Sequence, residues 1–152
     1  DQDDIWTKNR LQRIKKNLNH FDFCTLNSYL LDNSNKDLKE TSILTFDIMP
    51  PSKSIIRNII KPSFIGCHLA FKAEYLEYIL PFPNLVYMHD MYIGIFAILS
   101  KSLFVDSLPT MYYRRHLNCY TPKKTSLIFK ISIRVRYLLA IIFAKIKIWK
   151  SK

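Results

Sequence analysis

The chain of 152 residues contains only two glycines, Gly66 and Gly94. Loops that bind phosphate through the backbone need glycine, because only glycine lets the chain turn tightly and approach a ligand closely. The sequence contains no Gly-rich loop of the P-loop or dinucleotide-binding type. Hydrophobic residues make up 49% of the chain, which is enough for one domain with a packed core. The sequence therefore predicts a folded domain without the glycine turns of a complete α/β nucleotide-binding domain.

The positive charge of the chain is concentrated at its C-terminal end. The segment Thr121–Lys152 carries nine Lys and Arg and no Asp or Glu, whereas the other 120 residues carry 14 basic and 12 acidic side chains. A domain that binds nucleic acid more often spreads its basic residues over a folded surface. We therefore predict no nucleic-acid partner. The weaker alternative is that the basic tail binds nucleic acid.

The basic tail has the periodicity of an amphipathic helix. At about 100° per residue, eight apolar residues fall in one stripe that no charge enters: Ile128, Ile131, Val135, Leu138, Leu139, Ile142, Ile146 and Trp149. Cations border the stripe on one side (Lys130, Arg134, Lys145, Lys152) and on the other (Arg136, Lys147, Lys150). This layout predicts that residues 121–152 form a helix lying in a membrane interface. The alternative is that the stripe packs on the protein's own core. No apolar run is long enough to span a bilayer.

Residues 1–120 predict a mixture of helices and strands. The first predicted elements are a basic helix with Leu11, Ile14 and Leu18 on one side, a strand beginning near Phe21, and a loop. A strand over Phe64–Phe71, a short helix stopped by Pro81 and a helix starting just after Asp90 follow. The last elements are two strands separated by a break at Pro109. This order predicts α/β or α+β architecture, with helices packed on a sheet.

Three carboxylates open the chain, at Asp1, Asp3 and Asp4. In an extended segment Asp1 and Asp3 point to the same side, and two such carboxylates are suitable ligands for Mg²⁺ or Mn²⁺. The alternative is a solvated acidic turn or a helix N-cap.

The cysteines Cys24, Cys67 and Cys119 lack the spacing of a zinc site, so we expect reduced thiols.

Five motifs in order, "DQDDIW", "FIGCHLAF", "LPFP", "HD" and "YYRRHLN", resemble those of family 2 glycosyltransferases with the GT-A (Rossmann-like) fold. The similarity is greatest to the bacterial rhamnosyltransferase-like branch, and it extends from Asp1 to about Asn118. It implies that residues 1–120 are the C-terminal part of the catalytic domain. In the family, a nucleoside-binding βαβ portion precedes the segment that matches Asp1.

The resemblance also implies roles for particular residues. Asp1 and Asp3 match the DxD motif, which binds a divalent ion, Mg²⁺ or Mn²⁺, and through it the diphosphate of the donor. Asp90 matches the general base of inverting members. The residues matching the acceptor side are Gly66, Cys67 and His68, and those matching the donor-phosphate side are Arg114 and His116. The family often has Asn three residues after the histidine, where this chain has Cys119.

Each of these residues also has a structural alternative. Asp90 is equally suited to cap the helix that follows it. Gly66 is compatible with a role in strand packing alone, and Arg114 with a place in a solvated pair of arginines. His116 alone would more often be an ordinary surface or core histidine.

The function expected from the resemblance is metal-dependent, inverting transfer of a sugar from a nucleotide sugar, such as dTDP-rhamnose or a UDP-sugar. The acceptor would be a lipid-linked or oligosaccharide molecule of cell-surface polysaccharide or lipopolysaccharide synthesis. The protein would lie in the cytoplasm, peripherally on the inner face of the cytoplasmic membrane. The alternative is an inactive, membrane-associated remnant that does not bind a donor.

Overall fold

The structure is a computed structural model that describes residues 4–32, 43–115 and 126–150. Within these ranges the strands are β1 (Ile5–Trp6), β2 (Phe23–Asp32), β3 (Leu69–Phe71) and β4 (Leu103–Arg115). The α-helices there are α1 (Arg10–Leu18), α2 (Thr45–Ile48), α3 (Ile55–Ile60), α4 (Leu76–Ile79), α5 (His89–Leu99) and α6 (Leu127–Lys150). The domain is mixed α/β, as the sequence predicts at this coarse level.

The four strands form one mixed sheet in the order β1-β4-β2-β3. The central strands β2 and β4 are parallel, and the outer strands β1 and β3 pair antiparallel with β4 and β2, respectively. The segment between β2 and β4 carries α2 to α5 and β3, so it is the long connection that parallel neighbours require. This connection also carries the "FIGCHLAF" and "HD" motifs.

Two details of the predicted strands are wrong. Residues Gly66–His68 form a single 3-10 turn, and only Leu69–Phe71 are extended. The break expected at Pro109 is a bulge within the continuous strand β4, where the pairing shifts between Leu26 and Asn27. A proline lacks the N–H that a regular ladder needs, and a bulge accommodates it. The amide of Asn27 donates to the Ser107 carbonyl at 2.9 Å and so stabilises the bulge.

Helix α1 packs on the sheet through polar groups rather than through the predicted apolar side. Leu11 is 64% exposed, whereas Asn17 is buried. The carboxylate of Asp106 on β4 accepts two hydrogen bonds from Arg13, at 2.6 and 2.8 Å, and one from Asn17 at 2.7 Å. The guanidinium of Arg13 lowers the pKa of Asp106 against the effect of burial, which raises it. A bidentate ion pair therefore attaches α1 to the sheet.

The opposite face of the sheet carries the hydrophobic core. Phe23 and Leu103 project from β2 and β4 and pack against Phe96 on α5. Helix α6 completes this layer through Ala140 and Ala144, whose small side chains allow the two helices to approach closely. Helices therefore lie on both faces of the sheet, with α6 packed against α5, α3 and α4.

Helix α6 has two apolar sides, and they point in opposite directions. The side that packs on the protein, here called the inner face, comprises Ile133, Tyr137, Ala140, Ile141, Ala144 and Ile148. The predicted stripe, here called the outer face, comprises Ile128, Ile131, Val135, Leu138, Leu139, Ile142, Ile146 and Trp149. Every residue of the outer face is exposed, from 44% at Leu139 to 81% at Ile128. The alternative that the stripe packs on the protein's own core is therefore wrong.

Among the described residues, no helix combines the length and the apolar character needed to cross a bilayer.

The two glycines provide a direct test of the packing around α5. A methyl group on Gly94 would lie 2.1 Å from the Phe64 ring, whereas one on Gly66 would lie 3.3 Å from the side chain of His89. Alanine in a helix interior is favoured over glycine by about 1 kcal/mol, but overpacking costs typically about 1–3 kcal/mol or more. We expect Gly94→Ala to lower the free energy of unfolding by about 2 kcal/mol, as measured by urea titration. Gly66→Ala is the control and should change it by less than about 1 kcal/mol. A Gly94→Ala protein as stable as the wild type would contradict this packing.

Candidate functional site

The Gly66–His68 turn lies against the first turn of α5. A Cβ atom on Gly66 would be 3.3 Å from His89 Nε2 and 3.7 Å from Asp90 Cβ. The absence of a side chain at Gly66 therefore lets the backbone of the turn approach Asp90 closely. The "FIGCHLAF" and "HD" motifs, which are separated by 17 residues in sequence, are adjacent in the fold.

Asp90 occupies the first turn of α5 but is not its N-cap. The helix begins at His89 and the N-cap is Met88, so the helix starts two residues earlier than the expected start just after Asp90. The carboxylate still accepts the backbone N–H of Met91 at 2.7 Å. Burial raises the pKa of Asp90, while hydrogen bonds from the backbone of Met91 and Gly66 oppose that rise. A carboxylate held in this way is a stronger base than an ordinary surface aspartate.

Asp4 approaches the same turn from the other side. Its carboxylate accepts the backbone N–H of Arg114 at 3.3 Å, and the thiol of Cys67 hydrogen-bonds to it. Strand β1 begins directly after Asp4 and pairs with Met111 and Tyr112 of β4, which fixes this placement. The turn therefore stands between Asp4 and Asp90, with the end of β4 beside it.

Arg10 holds the turn in place, a role that the sequence does not predict. It is 2% exposed. Its guanidinium donates to the Cys67 carbonyl at 2.7 Å and to the Thr110 hydroxyl at 3.0 Å. The guanidinium also lies over the Trp6 ring, 4.9 Å from its centroid. In the sequence Arg10 is one of several cations in a basic helix, and the only local signal of its burial is the nearby Trp6.

His68 is not placed to contact a substrate, contrary to the acceptor-binding role that the resemblance implies. Its side chain is fully buried and its Nε2 lies 3.0 Å from the hydroxyl oxygen of Ser28. Burial, assisted by the charge of Arg10, lowers the pKa of His68 to about 3, so the ring is neutral at physiological pH. The ring contacts Phe46 and Tyr113 edge-on. His68 is therefore a packing residue behind the turn, because the turn directs it into the protein.

A cleft of about 460 Å³ opens on the α1 side of the turn. Its walls come from β1, α1, the turn and β3: Asp4, Trp6, Arg10, Ile14, Gly66, Cys67, Leu69 and Ala70. Asp90 and Arg114 are not among these residues. The cleft is therefore adjacent to Asp4, and Asp90 lies across the turn from it.

Three of the residues matched to the family motif, Asp1, Asp3 and His116, lie outside the part of the chain that the structure describes. In the part that it does describe, no group of three or more His, Cys, Asp or Glu side chains is placed to hold a metal ion. The carboxylates assigned to Mg²⁺ or Mn²⁺ therefore remain a prediction from sequence. The described thiols, Cys24 and Cys67, are free.

Comparison of the chain with models of known protein families gives no match. Comparison with curated proteins gives no match either.

The contact between Asp4 and Cys67 can be tested by thiol chemistry. Burial, together with the charge of Asp4 and its hydrogen bond, raises the pKa of Cys67 to about 12. Asp4→Asn removes the negative charge, so the pKa should fall and Cys67 should react faster with iodoacetamide at pH 8 to 9. The rate would be measured by mass spectrometry in a Cys119→Ser background, with buried Cys24 as the internal reference.

The control for this experiment is Asp47→Asn, which removes an exposed carboxylate from α2. It should leave the alkylation rate of Cys67 unchanged. Equal rates in the wild type and in Asp4→Asn would mean that the opening segment does not lie against the turn.

Proposed function

We propose that this chain provides the base-carrying part of a family 2 glycosyltransferase with the GT-A fold, of the rhamnosyltransferase-like branch. The enzyme transfers a sugar from a nucleotide sugar, either dTDP-rhamnose or a UDP-sugar, and inverts the anomeric centre. The acceptor is a lipid-linked or oligosaccharide molecule of cell-surface polysaccharide synthesis. The reaction takes place at the inner face of the cytoplasmic membrane.

One observation supports this proposal above the others. Asp4 and Asp90 come from distant parts of the sequence and both contact the Gly66–Cys67 turn, and the backbone N–H of Arg114 donates to Asp4. A chain in which these motifs matched by coincidence would have no reason to place them together. Capping alone would account for the contact of Asp90 with Met91, but not for the approach of the turn to the same carboxylate.

Asp90 has the properties of a general base for a sugar hydroxyl. A hydroxyl is a poor nucleophile until its proton is removed, so a carboxylate must stand beside it. Burial raises the pKa of Asp90, which strengthens it as a base. The backbone N–H groups of Met91 and Gly66 keep the carboxylate oriented. Proton removal by Asp90 then lets the acceptor oxygen attack the anomeric carbon on the side opposite the leaving group.

The leaving nucleoside diphosphate gains negative charge as the glycosidic bond breaks. Arg114, at the end of β4 next to Asp4, is the cation of the described chain that we assign to this charge. A divalent ion bound by Asp1 and Asp3 would supply further stabilisation of the diphosphate. His116 is assigned to the same side of the donor. Gly66 and Cys67 are assigned to the acceptor side because both line the cleft next to Asp4.

The alternative function is an inactive remnant that keeps the fold but binds no donor. The buried polar contacts of Arg10 and Asp106 would serve such a protein equally well. The two hypotheses differ in one measurable property, the release of nucleotide from a nucleotide sugar in the presence of an acceptor. A panel of nucleotide sugars tested with the protein distinguishes them.

The role of Asp90 predicts a specific loss of turnover. Asp90→Asn should lower kcat by about 10²-fold or more while donor affinity changes little, because general-base catalysis contributes about 10²–10⁴-fold. In the wild type, the rate should rise with pH through an apparent pKa above the ordinary aspartate value of about 3.9, because only the ionised carboxylate accepts the proton. Steady-state kinetics between pH 4 and 9 and a donor-binding titration measure both effects.

The matched control is Asp47→Asn, since Asp47 is also an aspartate in the first turn of a helix and accepts a backbone N–H at 3.3 Å. It should retain wild-type kcat. If Asp90→Asn also keeps wild-type kcat, or if it loses donor binding and stability together, Asp90 is a structural residue.

The metal assignment gives a second prediction for the same protein. Asp3→Ala should abolish activity and also binding of Mn²⁺, which is measured directly by electron paramagnetic resonance without substrate. Asp47→Ala should bind Mn²⁺ as the wild type does. Activity that still depends on Mn²⁺ or Mg²⁺ in Asp3→Ala would show that the ion has other ligands.

A further inference from the structure

We propose that the outer face of α6 binds the surface of an anionic lipid bilayer. The helix would lie flat in the interface, with its inner face still packed on α5. This inference is independent of the reaction that the domain performs. It depends on three features of the described structure: the exposure of the outer face, the distribution of cations around it, and the continuation of the apolar surface onto α3.

The fold does not use the outer face for its own stability. The inner face of α6 provides the contacts with the core, through residues such as Tyr137, Ala140 and Ala144, which are at most 3% exposed. The outer face is exposed along its whole length, which from Ile128 to Trp149 is roughly 30 Å at about 1.5 Å per residue. Soluble monomers seldom expose a continuous apolar surface of this extent without a partner.

The cations of α6 serve two different purposes. Arg134 donates to the carbonyl of Ile60 at 2.7 Å, and Lys147 approaches the carbonyls of Ile79, Leu80 and Pro81 at 3.1 to 3.4 Å. These two cations therefore bind the C-terminal ends of α3 and α4. Three other cations, Lys130, Arg136 and Lys145, are exposed.

At about 100° per residue, Lys145 borders the outer face on one side and Arg136 flanks it on the other, whereas Lys130 is in the first turn of α6 and lies nearer the inner face. Long cationic side chains in this position bury their methylene groups beside the apolar surface and extend their charges to phosphate headgroups. No acidic residue occurs in α6. A second copy of the helix would therefore bring like charges together, whereas an anionic bilayer complements both the apolar centre and the cationic borders.

Helix α3 extends the apolar surface. Ile56 and Ile60, one turn apart, are 72% and 65% exposed. The carbonyl of Ile60 is the group that Arg134 binds, so this end of α3 lies directly beside α6. These two exposed isoleucines beside α6 add apolar residues that a bilayer in contact with the outer face could also bind.

The first experiment measures binding of the whole chain to vesicles. Sedimentation with vesicles of phosphatidylglycerol and phosphatidylcholine should show binding that weakens as salt rises, and weaker binding to phosphatidylcholine alone. In a Trp6→Phe protein, Trp149 is the only tryptophan. Its emission should shift to shorter wavelength with the anionic vesicles and be quenched by brominated lipid. A Trp149 emission that the vesicles leave unchanged would contradict the proposal.

Two variants separate the apolar and electrostatic contributions. Leu138→Gln with Ile142→Gln should weaken binding about tenfold or more, since each residue is about half exposed and loses its apolar contact with lipid. Lys130→Gln, Arg136→Gln and Lys145→Gln together should remove most of the preference for anionic vesicles. The matched control, Leu11→Gln with Ile48→Gln, replaces exposed apolar residues outside α6 and should bind as the wild type does.

Three results would overturn the proposal. The first is equal vesicle binding by the outer-face variant and the wild type. The second is a dimer in sedimentation velocity without lipid that becomes a monomer in the outer-face variant, because the face would then bind a second copy. The third is salt-dependent retention on DNA without binding to anionic vesicles, which would favour nucleic acid as the partner.

Discussion

The candidate site depends on the hydrogen bonds that the buried guanidinium of Arg10 donates. The guanidinium joins α1, the Gly66–His68 turn and β4 through hydrogen bonds to the Cys67 carbonyl and the Thr110 hydroxyl. Removing a guanidinium from water is costly unless its donors are satisfied and a counter-charge is near. Burial lowers the pKa of Arg10, and the charge of nearby Asp4 opposes this effect. The same buried charge therefore positions the turn and attracts the carboxylate of Asp4 towards it.

The sequence predicts the strongly periodic elements well and their orientation poorly. Helices α1 and α5, strand β2 and the helical tail were all expected, α1 and the tail from their apolar period and α5 and β2 from runs of mainly apolar residues. The apolar period of α1 nevertheless does not predict which of its residues are buried, because Leu11 is 64% exposed and polar Asn17 is buried. Asp106 binds Arg13 and Asn17 from 93 and 89 positions away along the chain and so decides which side of α1 faces the sheet. Local patterns carry no information about such a distant partner.

Helix α6 is a second case in which the local pattern does not predict which side of a helix is buried. When a helix has apolar residues on two opposite sides, a helical wheel does not predict which side packs on the core. The wheel identifies an apolar stripe, but it does not identify what the stripe contacts. The small residues Ala140 and Ala144 are the signal for the inner face, because close packing of helices favours small side chains at the contact. At the site, the sequence does not predict the contact of Asp4 with the turn, because the resemblance assigns roles to Asp1 and Asp3 and none to Asp4. The burial of His68 is not predicted either, because it follows from the direction in which one 3-10 turn points its side chains.

The proposed membrane surface and the proposed catalytic base are connected through one helix. Tyr137 lies on the inner face of α6 and is 3% exposed, and burial together with the charge of Asp90 raises its pKa to about 12. The side chain is therefore a neutral phenol that lies near the carboxylate while the opposite side of the same helix is exposed. A helix of this diameter, about 10 Å with its side chains, separates the two surfaces by about the length of two sugar units. An enzyme that takes its acceptor from a bilayer needs its base at such a short distance from the lipid, because a lipid-linked saccharide extends only a few sugars from its anchor.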